Sequence, residues 1–411
     1  MEIALGIIIE MKNKGLSYLL RLQVGFLWLL CMVLCSQLHA QEHLTRNMLM
    51  LSNLNTDNGI SSARVYSIVE AEDGAIWIST KRGVDRYNGQ QVRNYTLATD
   101  MQFSDACGRN IKLTKNSQQH IYAYDNKGKI YIYNKVKDTF QLQVNLMNVL
   151  GGSVMLNDLL VDDKGCFWMA LDRGVYRMAP PSIAGSKDIT APGSPNKGKY
   201  ILKNTYVNHI RFIGKQLLIG SPSGVFAYSP NAVQPRLLLR GYSVLSSYHD
   251  VKAHQIWLGT FHRGIILLDD RTWKPLSSLV QFSSLADIPL IPVRSIIPYD
   301  AATILMAVDG AGVYAYDKKT CKTNLLLNTD GRPENVLHGN GVYALCKDHL
   351  GDLWIGSYSG GVDMAIPMEH TLEFVRHEYL NSQSLINNGV NDVMQSVDTQ
   401  GRNSKIWYAT D

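Results

Sequence analysis

Three similar segments of the chain have an arginine at the same place, immediately before a turn glycine: Arg82, Arg173 and Arg263. Such planar cations, together with neighbouring carboxylates, amides and aromatic rings, suit hydroxyl-rich or acidic sugars through bidentate hydrogen bonds and stacking. The segments around them resemble one another, and corresponding places elsewhere supply further polar residues. The candidate ligand-binding set is Lys81, Arg82, Asp172, Arg173, His262, Arg263, Asp309 and Tyr358. The alternative interpretation is a set of solvated loop residues, with the arginines shared only because the segments are repeats.

Catalysis finds little support in the sequence. G-x-S-x-G, P-loop, G-x-G-x-x-G and H-E-x-x-H motifs are absent, and the 11 histidines show no metal-ligand spacing. The pairs Asp162-Asp163 and Asp269-Asp270 fall at predicted turns, where aspartate caps the backbone. Adjacent strand residues also face opposite sides of a sheet, so they rarely form an acid/base couple. We expect no catalytic residue, no metal site and no cofactor.

The composition is that of a globular β protein. Of 411 residues, 45% are hydrophobic and 18% are charged, which excludes a disordered or fibrous chain. The 33 glycines and 21 tyrosines, with Asp-Gly and Asn-Gly pairs, favour strands and turns over helices. The net charge of +5 is scattered without a basic run, so nucleic acid is not an expected partner.

The amino terminus has the features of a secretory signal peptide. Twelve uncharged apolar residues, Val24 to Cys35, follow Lys12, Lys14 and Arg21. A helix of that length rises only about 18 Å, short of the ~30 Å hydrocarbon core, so a permanent membrane span is the weaker alternative. We therefore assign residues 1–40 to the signal and expect a soluble, exported mature chain.

Four cysteines remain after residue 40: Cys107, Cys166, Cys321 and Cys346. None of them shares a metal-ligand spacing with another. Export permits disulfides, but Cys166 and Cys346 lie in or beside apolar strand-like runs. Such cysteines usually serve as small buried hydrophobic residues, and we expect them to be unpaired.

An internal repeat organises the chain. Aligning its copies places one large apolar residue in a single column: Trp77, Tyr122, Trp168, Leu218, Trp257, Leu305, Trp354 and Trp407. The spacing is close to that of a four-stranded propeller blade. We interpret the column as core that packs blade on blade rather than as sugar-stacking platforms, because it becomes aliphatic at Leu218 and Leu305.

A second column contains glycine just before the third strand of each copy: Gly83, Gly128, Gly174, Gly224, Gly264, Gly312 and Gly361. Recurrence at one position implies a backbone that a side chain would strain. The predicted fold is an all-β, seven-bladed β-propeller of four-stranded antiparallel blades over residues 58–378, with a linear solenoid as the alternative. Residues 180–199, rich in Pro, Gly, Ser and Lys, are predicted as an insertion between the third and fourth strands of the third blade.

Two further segments flank the ring. Residues 41–57 form an extension containing a strand-like run, Met48 to Leu54, which closes either this ring or another one. Residues 379–411 open an eighth copy and resemble the first strands of a second propeller. Those last strands are expected to have unpaired edges.

The run GISSARVYSIVEAEDGAIWISTKRGVDRY, from Gly59 to Tyr87, resembles the two-component regulator propeller repeat. The resemblance is strong in the first, third and seventh copies and looser in the others. It implies the periplasmic sensor region of a hybrid two-component system, in which propellers precede a small β-sandwich, a membrane helix and a histidine kinase. Such sensors commonly respond to glycan breakdown products and signal as dimers.

The chain contains no kinase, receiver or helix-turn-helix sequence. By resemblance it is the amino-terminal part of a sensor whose parent lies in the inner membrane, reached only through downstream segments. The expected function is non-catalytic binding of an oligosaccharide or other small ligand in the periplasm, with a homodimer in the intact sensor. Two alternatives are a secreted propeller glycoside hydrolase or polysaccharide lyase, and a protein-interaction scaffold.

Overall fold

The computed structural model describes residues 49–97, 110–180, 198–276, 280–330, 336–367, 377, 384–397 and 404–411. The expected signal peptide, Cys107 and residues 181–197 of the predicted insertion lie outside these ranges. The described chain is almost entirely β, with one short helix, α1 (Leu146–Leu150), and 3-10 turns at Thr56–Asn58 and Val280–Asp287. None of the helices in these ranges is long and apolar enough to cross a membrane.

Seven antiparallel sheets follow one another along the chain. The first four have four strands each in sequence order. The first blade contains β2 (Val65–Glu70), β3 (Ile76–Thr80), β4 (Val84–Tyr87) and β5 (Val92–Tyr95), and the second contains β6 (Ile111–Lys115), β7 (Ile121–Asp125), β8 (Lys129–Asn134) and β9 (Thr139–Asn145). The third blade contains β10 (Leu156–Val161), β11 (Phe167–Leu171), β12 (Gly174–Met178) and β13 (Lys199–Lys203). The fourth blade contains β14 (His209–Ile213), β15 (Gln216–Ser221), β16 (Gly224–Tyr228) and β17 (Arg236–Arg240). The predicted insertion therefore does separate the third and fourth strands of the third blade.

The remaining blades complete the ring. They contain β18 (Val244–Asp250), β19 (Gln255–Thr260) and β20 (Ile265–Asp269); β21 (Val293–Pro298), β22 (Thr303–Val308), β23 (Gly312–Asp317) and β24 (Lys322–Leu327); and β25 (Val342–Lys347), β26 (Leu353–Ser357) and β27 (Val362–Pro367). In the fifth blade an isolated antiparallel bridge between Leu268 and Pro275 takes the place of the fourth strand. The predicted all-β, seven-bladed propeller is confirmed.

The outer strand of the seventh blade comes from the amino-terminal side of the ring. Strand β1 (Leu49–Leu54) pairs antiparallel with β27, from Leu49 opposite Pro367 to Leu54 opposite Val362. The run that the sequence left undecided thus closes this ring. Closure is needed because an open seventh blade would expose a row of unpaired backbone groups.

The core lies between the blades. Each of six clusters of buried residues in the described part joins two neighbouring sheets, and one of them joins the first blade to the seventh, packing Val65 and Ile78 with Trp354 and Val362. The seven column residues within the ring are at most 6% exposed: Trp77, Tyr122, Trp168, Leu218, Trp257, Leu305 and Trp354. The core interpretation of this column is confirmed.

The glycine column has the predicted cause. Gly174 has φ +143°, and a Cβ there would lie 1.9 Å from the carbonyl oxygen of Leu202 in the outer strand. Gly83 lacks the positive φ, yet its Cβ would meet the oxygen of Tyr95 at 2.4 Å. In five blades the position is therefore glycine because the outer strand approaches too closely for any side chain. Gly128 and Gly264 have no such approach of the outer strand and are favoured by their positive φ of +86° and +61°.

The described cysteines are unpaired, as expected. Cys166, Cys321 and Cys346 are all free thiols. Cys166 is 6% exposed, and burial raises the pKa of its thiol. Cys346 is half-buried against the cluster between the first and seventh blades, and burial raises its pKa to about 11. Neither thiol has the lowered pKa of a reactive cysteine.

Strands β28 (Val390–Val397) and β29 (Ser404–Thr410) form a separate two-stranded sheet. Their pairing slips by one residue between Val390 and Asp392, and the inner strand of the first blade slips at the corresponding place, between Val65 and Ser67. Apolar residues on this hairpin are exposed, with Met394 at 60% and Trp407 at 54%. The hairpin therefore has the form of two blade strands without the packing of a blade.

Candidate functional site

The second-to-third-strand turns and the starts of the inner strands lie on one face of the ring. In six blades a turn N–H donates to the carbonyl of a residue at or just before the start of the inner strand. The pairs are Lys81 to Arg64, Asn126 to Asn110, Asp172 to Met155, Phe261 to Ser243, Asp309 to Pro292 and Tyr358 to Gly341. These bonds hold each turn directly over the beginning of its own inner strand.

At the centre of this face the inner strands enclose a cavity of 660 Å³. That volume is within the ~300–1,000 Å³ typical of small-molecule sites. The charged and aromatic side chains that line it come from the first, second, third, fourth, sixth and seventh blades: Arg64, Tyr66, Lys112, Tyr124, Asp158, His209, Arg211, Arg294, Tyr343 and Tyr358. Asparagines and serines occupy much of the remaining wall.

A recurring β-bulge explains how so many polar groups reach the cavity. The inner strands of five blades slip register by one residue near their start: β2, β10, β18, β21 and β25. The bulged residue and the one after it both line the cavity in each case, as with Tyr66 and Ser67 or Arg294 and Ser295. In a regular strand one of each pair would face away, so the bulge brings an additional residue to the cavity wall in each of these strands.

One wall of the cavity is a stack of cations and aromatic rings spanning the sixth, seventh and first blades. Arg294 donates to one carboxylate oxygen of Asp309 from Nε at 3.0 Å and from Nη2 at 2.8 Å, and it lies 4.6 Å over the ring of Tyr343. The Tyr343 and Tyr358 rings are 5.3 Å apart, and Arg64 lies 3.9 Å from the Tyr358 centroid. Flat rings with fixed cations suit the apolar face of a sugar.

A hydrogen-bonded chain crosses the third, fourth and fifth blades. His209 Nδ1 lies 2.7 Å from Asp158 Oδ2, and His209 Nε2 lies 2.8 Å from Ser247 Oγ. Asp158 also accepts from the Tyr124 hydroxyl at 3.1 Å and the Ile210 amide at 3.1 Å. Burial by itself raises the pKa of Asp158, but the His209 bond and nearby positive charges hold that pKa below its usual range. Asp158 is therefore an ionised, fully engaged acceptor.

Among the described residues, two cations of the wall bond only to main-chain acceptors. Lys112 Nζ donates to the carbonyl of Asn157 at 2.9 Å, and Arg211 Nη1 donates to the carbonyl of Ser247 at 2.8 Å. Desolvation lowers the pKa of Lys112, and positive Arg294 lowers it further against the opposing effect of Asp158. Desolvation likewise lowers the pKa of Arg211. Both charges are thus incompletely compensated where they stand.

The eight sequence-predicted residues occupy the predicted face, but they do not all reach the cavity. Tyr358 lines it, and Asp309 orients Arg294, which does. The remaining six are outside its lining: Lys81, Arg82, Asp172, Arg173, His262 and Arg263. Arg173 bonds to the carbonyl of Ser153 and lies 3.5 Å from Asp172, whereas Arg263 lies over the Tyr242 ring at 4.9 Å. These six form an outer rim of turns.

Sequence reasoning missed the inner-strand residues, notably Lys112, Asp158, His209, Arg211 and Arg294. A signal was present, since each is a charged or imidazole side chain within or beside a strand-like run that is otherwise apolar. For Asp158 and Arg294 strict alternation hid it, because a bulge exchanges which residues face the channel from the bulge onward. Lys112, His209 and Arg211 lie on β6 and β14, whose registers are regular, and they were missed because the candidate residues were taken from the turns.

The described residues contain no group of three or more His, Cys, Asp or Glu able to hold a metal ion. Among the described residues lining the cavity, Asp158 is the single carboxylate. Glycosidases generally need two carboxylates flanking the scissile bond, so this wall does not supply their usual machinery. The arrangement offers cations, hydroxyls, amides and rings, which are groups for holding a polar ligand.

Comparison with known proteins agrees with the repeat. The family model described as two component regulator propeller matches residues 59–82 and 337–359, in the first and seventh blades. No curated protein sequence matches the chain.

Solved structures share the fold. The extracellular domain of one protein from B. thetaiotaomicron, described as a hybrid two component system, superposes with TM-score 0.62 at 18% identity, covering 88% of this chain and 47% of that one. A second such domain from B. thetaiotaomicron gives 0.57 at 18% identity, covering 80% and 41%. A streptogramin B lyase gives 0.51 at 13% identity, covering 77% and 97%.

The chain thus spans less than half the length of either extracellular domain. At such identities the likeness to solved structures concerns the fold, whereas the family match concerns the repeat itself. Together they agree with the resemblance found in the sequence: this chain is a seven-bladed propeller whose first and seventh blades match the two-component regulator propeller repeat.

Proposed function

We propose that the chain is the ligand-sensing propeller module of a hybrid two-component histidine kinase sensor and that it binds a glycan-derived oligosaccharide without transforming it. The observation that carries this proposal is the 660 Å³ cavity at the centre of the ring, walled by tyrosines, cations, amides and hydroxyls. Ring stacking with several convergent hydrogen-bond donors is how proteins hold hydroxyl-rich ligands. The rim turns, including Arg82 and Arg263, would contact parts of the ligand that extend from the cavity.

The setting of this module is part of the proposal. Residues 1–40 would direct export to the periplasm, and the intact sensor would be a homodimer held in the inner membrane by other segments. The hairpin β28–β29 would be the first two strands of a second propeller, because it repeats the inner-strand bulge and leaves Met394 and Trp407 uncovered. Ligand binding would then bias the geometry of two propellers or two subunits.

A thermal-shift screen against neutral and acidic mono-, di- and oligosaccharides tests the binding, with each sample also analysed for products. A ligand at a hundredfold excess over its Kd stabilises the native state by about 2.7 kcal/mol. Tyr343→Ala should abolish the shift, whereas Tyr314→Ala is the matched control. Both tyrosines are part-buried and lie in neighbouring blades, but only Tyr343 lines the cavity. Equal loss in both variants would contradict binding in the cavity.

A second candidate function, acyl or ester hydrolysis, is favoured by one observation. Asp158, His209 and Ser247 are linked in the order carboxylate, imidazole and hydroxyl at 2.7 and 2.8 Å. In that arrangement His209 would take the Ser247 proton as Ser247 Oγ attacks an ester carbonyl carbon, and would give that proton to the leaving alcohol as the ester C–O bond breaks. Water activated by His209 would then hydrolyse the acyl-serine and regenerate Ser247, with Asp158 orienting the imidazole throughout. The alternative is that the hydrogen bonds among Asp158, His209 and Ser247 only link three blades structurally.

A fluorophosphonate probe separates these alternatives, since it labels only an activated serine. Covalent labelling at Ser247, found by peptide mass spectrometry and lost in His209→Ala, would overturn the non-catalytic proposal. An unlabelled protein that binds a saccharide in the cavity without product would support sensing. Ser247→Ala tests the structural link itself, because a structural role predicts reduced stability without loss of any reaction.

A further inference from the structure

The cavity carries more positive than negative charge. Its described lining includes four permanent or normally protonated cations, Arg64, Lys112, Arg211 and Arg294, against one carboxylate, Asp158. Asp309 stands behind Arg294 and pairs with it at 2.8 Å. After that pairing, the wall still holds three cations for one carboxylate.

Asp158 does not neutralise this excess of positive charge by direct ion pairs. Its two oxygens already accept from the His209 ring, the Tyr124 hydroxyl and the amides of Leu159 and Ile210. In the described part of the chain, no carboxylate lies within 4.0 Å of the charged nitrogens of Lys112 or Arg211. Asp158 therefore moderates the local field without serving as a direct ion-pair partner of either cation.

Lys112 and Arg211 both have donors to spare. A lysine ammonium has three N–H donors and a guanidinium has five, and each of these residues spends one on a main-chain carbonyl. Both line the cavity from opposite sides of the third blade, one in β6 and one in β14. Charged groups withdrawn from bulk water without a counter-charge favour an anion that restores their partners.

The aromatic wall lies beside Lys112 and across the ring from Arg211. Tyr66 belongs to the first blade, and Tyr343 and Tyr358 belong to the seventh, whereas Lys112 and Arg211 belong to the second and fourth. A ligand spanning the cavity would place a flat, weakly polar face on the tyrosines and a charged group near the two cations. An acidic sugar combines these two properties in one molecule.

We infer that the ligand of this propeller is an acidic oligosaccharide whose carboxylate or sulfate group binds Lys112 and Arg211 inside the channel. The inference rests on the proposed sensing function and names the ligand class and the residues that select it. Arg211 would receive the anion through two parallel N–H bonds, and Lys112 would contribute a point charge beside it. The arginines of the outer rim would then contact the parts of the ligand that extend from the cavity, and they would not select for its charge.

Isothermal titration calorimetry on the purified protein tests this with matched probes. The pairs are a glucuronic acid-containing disaccharide with its glucose counterpart, digalacturonate with galactobiose, and N-acetylglucosamine 6-sulfate with N-acetylglucosamine. Sodium sulfate, compared with sodium chloride at equal ionic strength, is the sugar-free probe. We expect at least one acidic probe to bind at least tenfold more tightly than its neutral partner, and the pair that responds distinguishes carboxylate from sulfate.

Variants locate the anion. Lys112→Met and Arg211→Met should each weaken the acidic probe at least tenfold and leave its neutral partner within twofold. Lys115→Met is the matched control, because Lys115 is on the same strand, is exposed and donates at 3.0 Å to the main chain of Glu70, and it is not among the residues that line the cavity. Lys112→Arg keeps the charge and should retain binding even where Lys112→Met folds poorly, which circular dichroism will show.

The possible results distinguish the acidic-ligand inference from the proposed sugar-sensing function. Equal binding of acidic and neutral partners, unaffected by Lys112→Met, would overturn the acidic-ligand inference and leave sugar sensing intact. Sulfate binding that requires Lys112 and Arg211, with every saccharide silent, would support the anion site and overturn the glycan proposal. Silence of every probe, sulfate included, would overturn both.

Discussion

Asn53 should decide how firmly the ring is closed. It lies in the closing strand β1 opposite Asp363, donates from Nδ2 to Asp363 Oδ1 at 2.8 Å, and also donates to the carbonyl of Gly360 at 2.9 Å. Asp363 is 0% exposed, and the oxygen that accepts from Asn53 also lies 2.7 Å from His338 Nδ1, so losing Asn53 removes one of two partners from a buried carboxylate oxygen. A bond to a charged acceptor contributes about 1.5–3 kcal/mol and a neutral bond about 1 kcal/mol. Asn53→Ala should therefore cost about 3 kcal/mol.

The first blade provides a matched control. Asn94 lies opposite Asp85 in its outer strand and donates to Asp85 Oδ1 at 2.8 Å and to the carbonyl of Gly59 at 3.1 Å. Asn94→Ala removes the same pair of bonds from a blade whose four strands are consecutive. Both variants should lose similar stability in urea titrations followed by tryptophan fluorescence.

Hydrogen exchange separates the two variants. A loss of about 3 kcal/mol corresponds to a change of roughly a hundredfold in an opening equilibrium. In Asn53→Ala that increase should appear in the β1 amides and in their partners on β27, because β1 is joined to its blade only by pairing and packing. In Asn94→Ala exchange of β1 should be unchanged. Unaltered β1 protection in Asn53→Ala would refute the view that this pair of side chains secures the closure.

Three further predictions concern packing, backbone and pH. Trp257→Leu should lower the unfolding free energy by about 2–4 kcal/mol and leave saccharide Kd unchanged, since the side chain is 0% exposed and outside the cavity; a change in Kd with intact folding would contradict its core role. Gly174→Ala should destabilise strongly in thermal melts, because φ is +143° and the Cβ would meet Leu202, whereas wild-type melting would show that the outer strand can shift. His349 Nδ1 lies 2.5 Å from Glu70 across the junction of the seventh and first blades, and this hydrogen bond raises the histidine pKa above 6.5. The charged His349–Glu70 pair stabilises the folded state fully below about pH 6.5, and this stabilisation is lost as pH rises through the higher folded-state pKa of His349. His349→Gln should therefore lower Tm more at pH 5.5 than at pH 8.5. An equal loss at both pH values would exclude the charged pair.

Much of the fold was predictable because the same pattern of strands and turns recurs in each copy of the repeat. The Trp77 column and the Gly174 column follow from local backbone and burial requirements that recur from blade to blade, and the Asp73-Gly74 hairpin of the first blade follows from its turn residues. Gly74 indeed has φ +76°. A single copy would be ambiguous, but agreement among copies identifies strand order, turn positions and blade number.

The candidate site was only half predictable. The rim turns were recognised because loops differ between copies while the framework stays constant. Part of the cavity wall was missed because a one-residue bulge brings Asn157 and Asp158, adjacent in sequence, to the same face. Asparagine and aspartate at these two positions do not indicate that the strand contains a bulge. The rest of the wall, including Lys112 and Arg211 on strands of regular register, was missed because the candidate residues were taken from the turns.

The sequence by itself determined the class of architecture, the strands of each blade, the core column and the face on which the turns gather. Those properties depend on contacts repeated locally, which a repeating pattern can encode and display. Only the tertiary structure decided that Leu49–Leu54 closes the seventh blade and that Lys112, Asp158, His209 and Arg211 meet around one cavity. Those outcomes depend on residues from separate blades converging on the ring axis, a proximity that exists only after closure brings the first and last blades together.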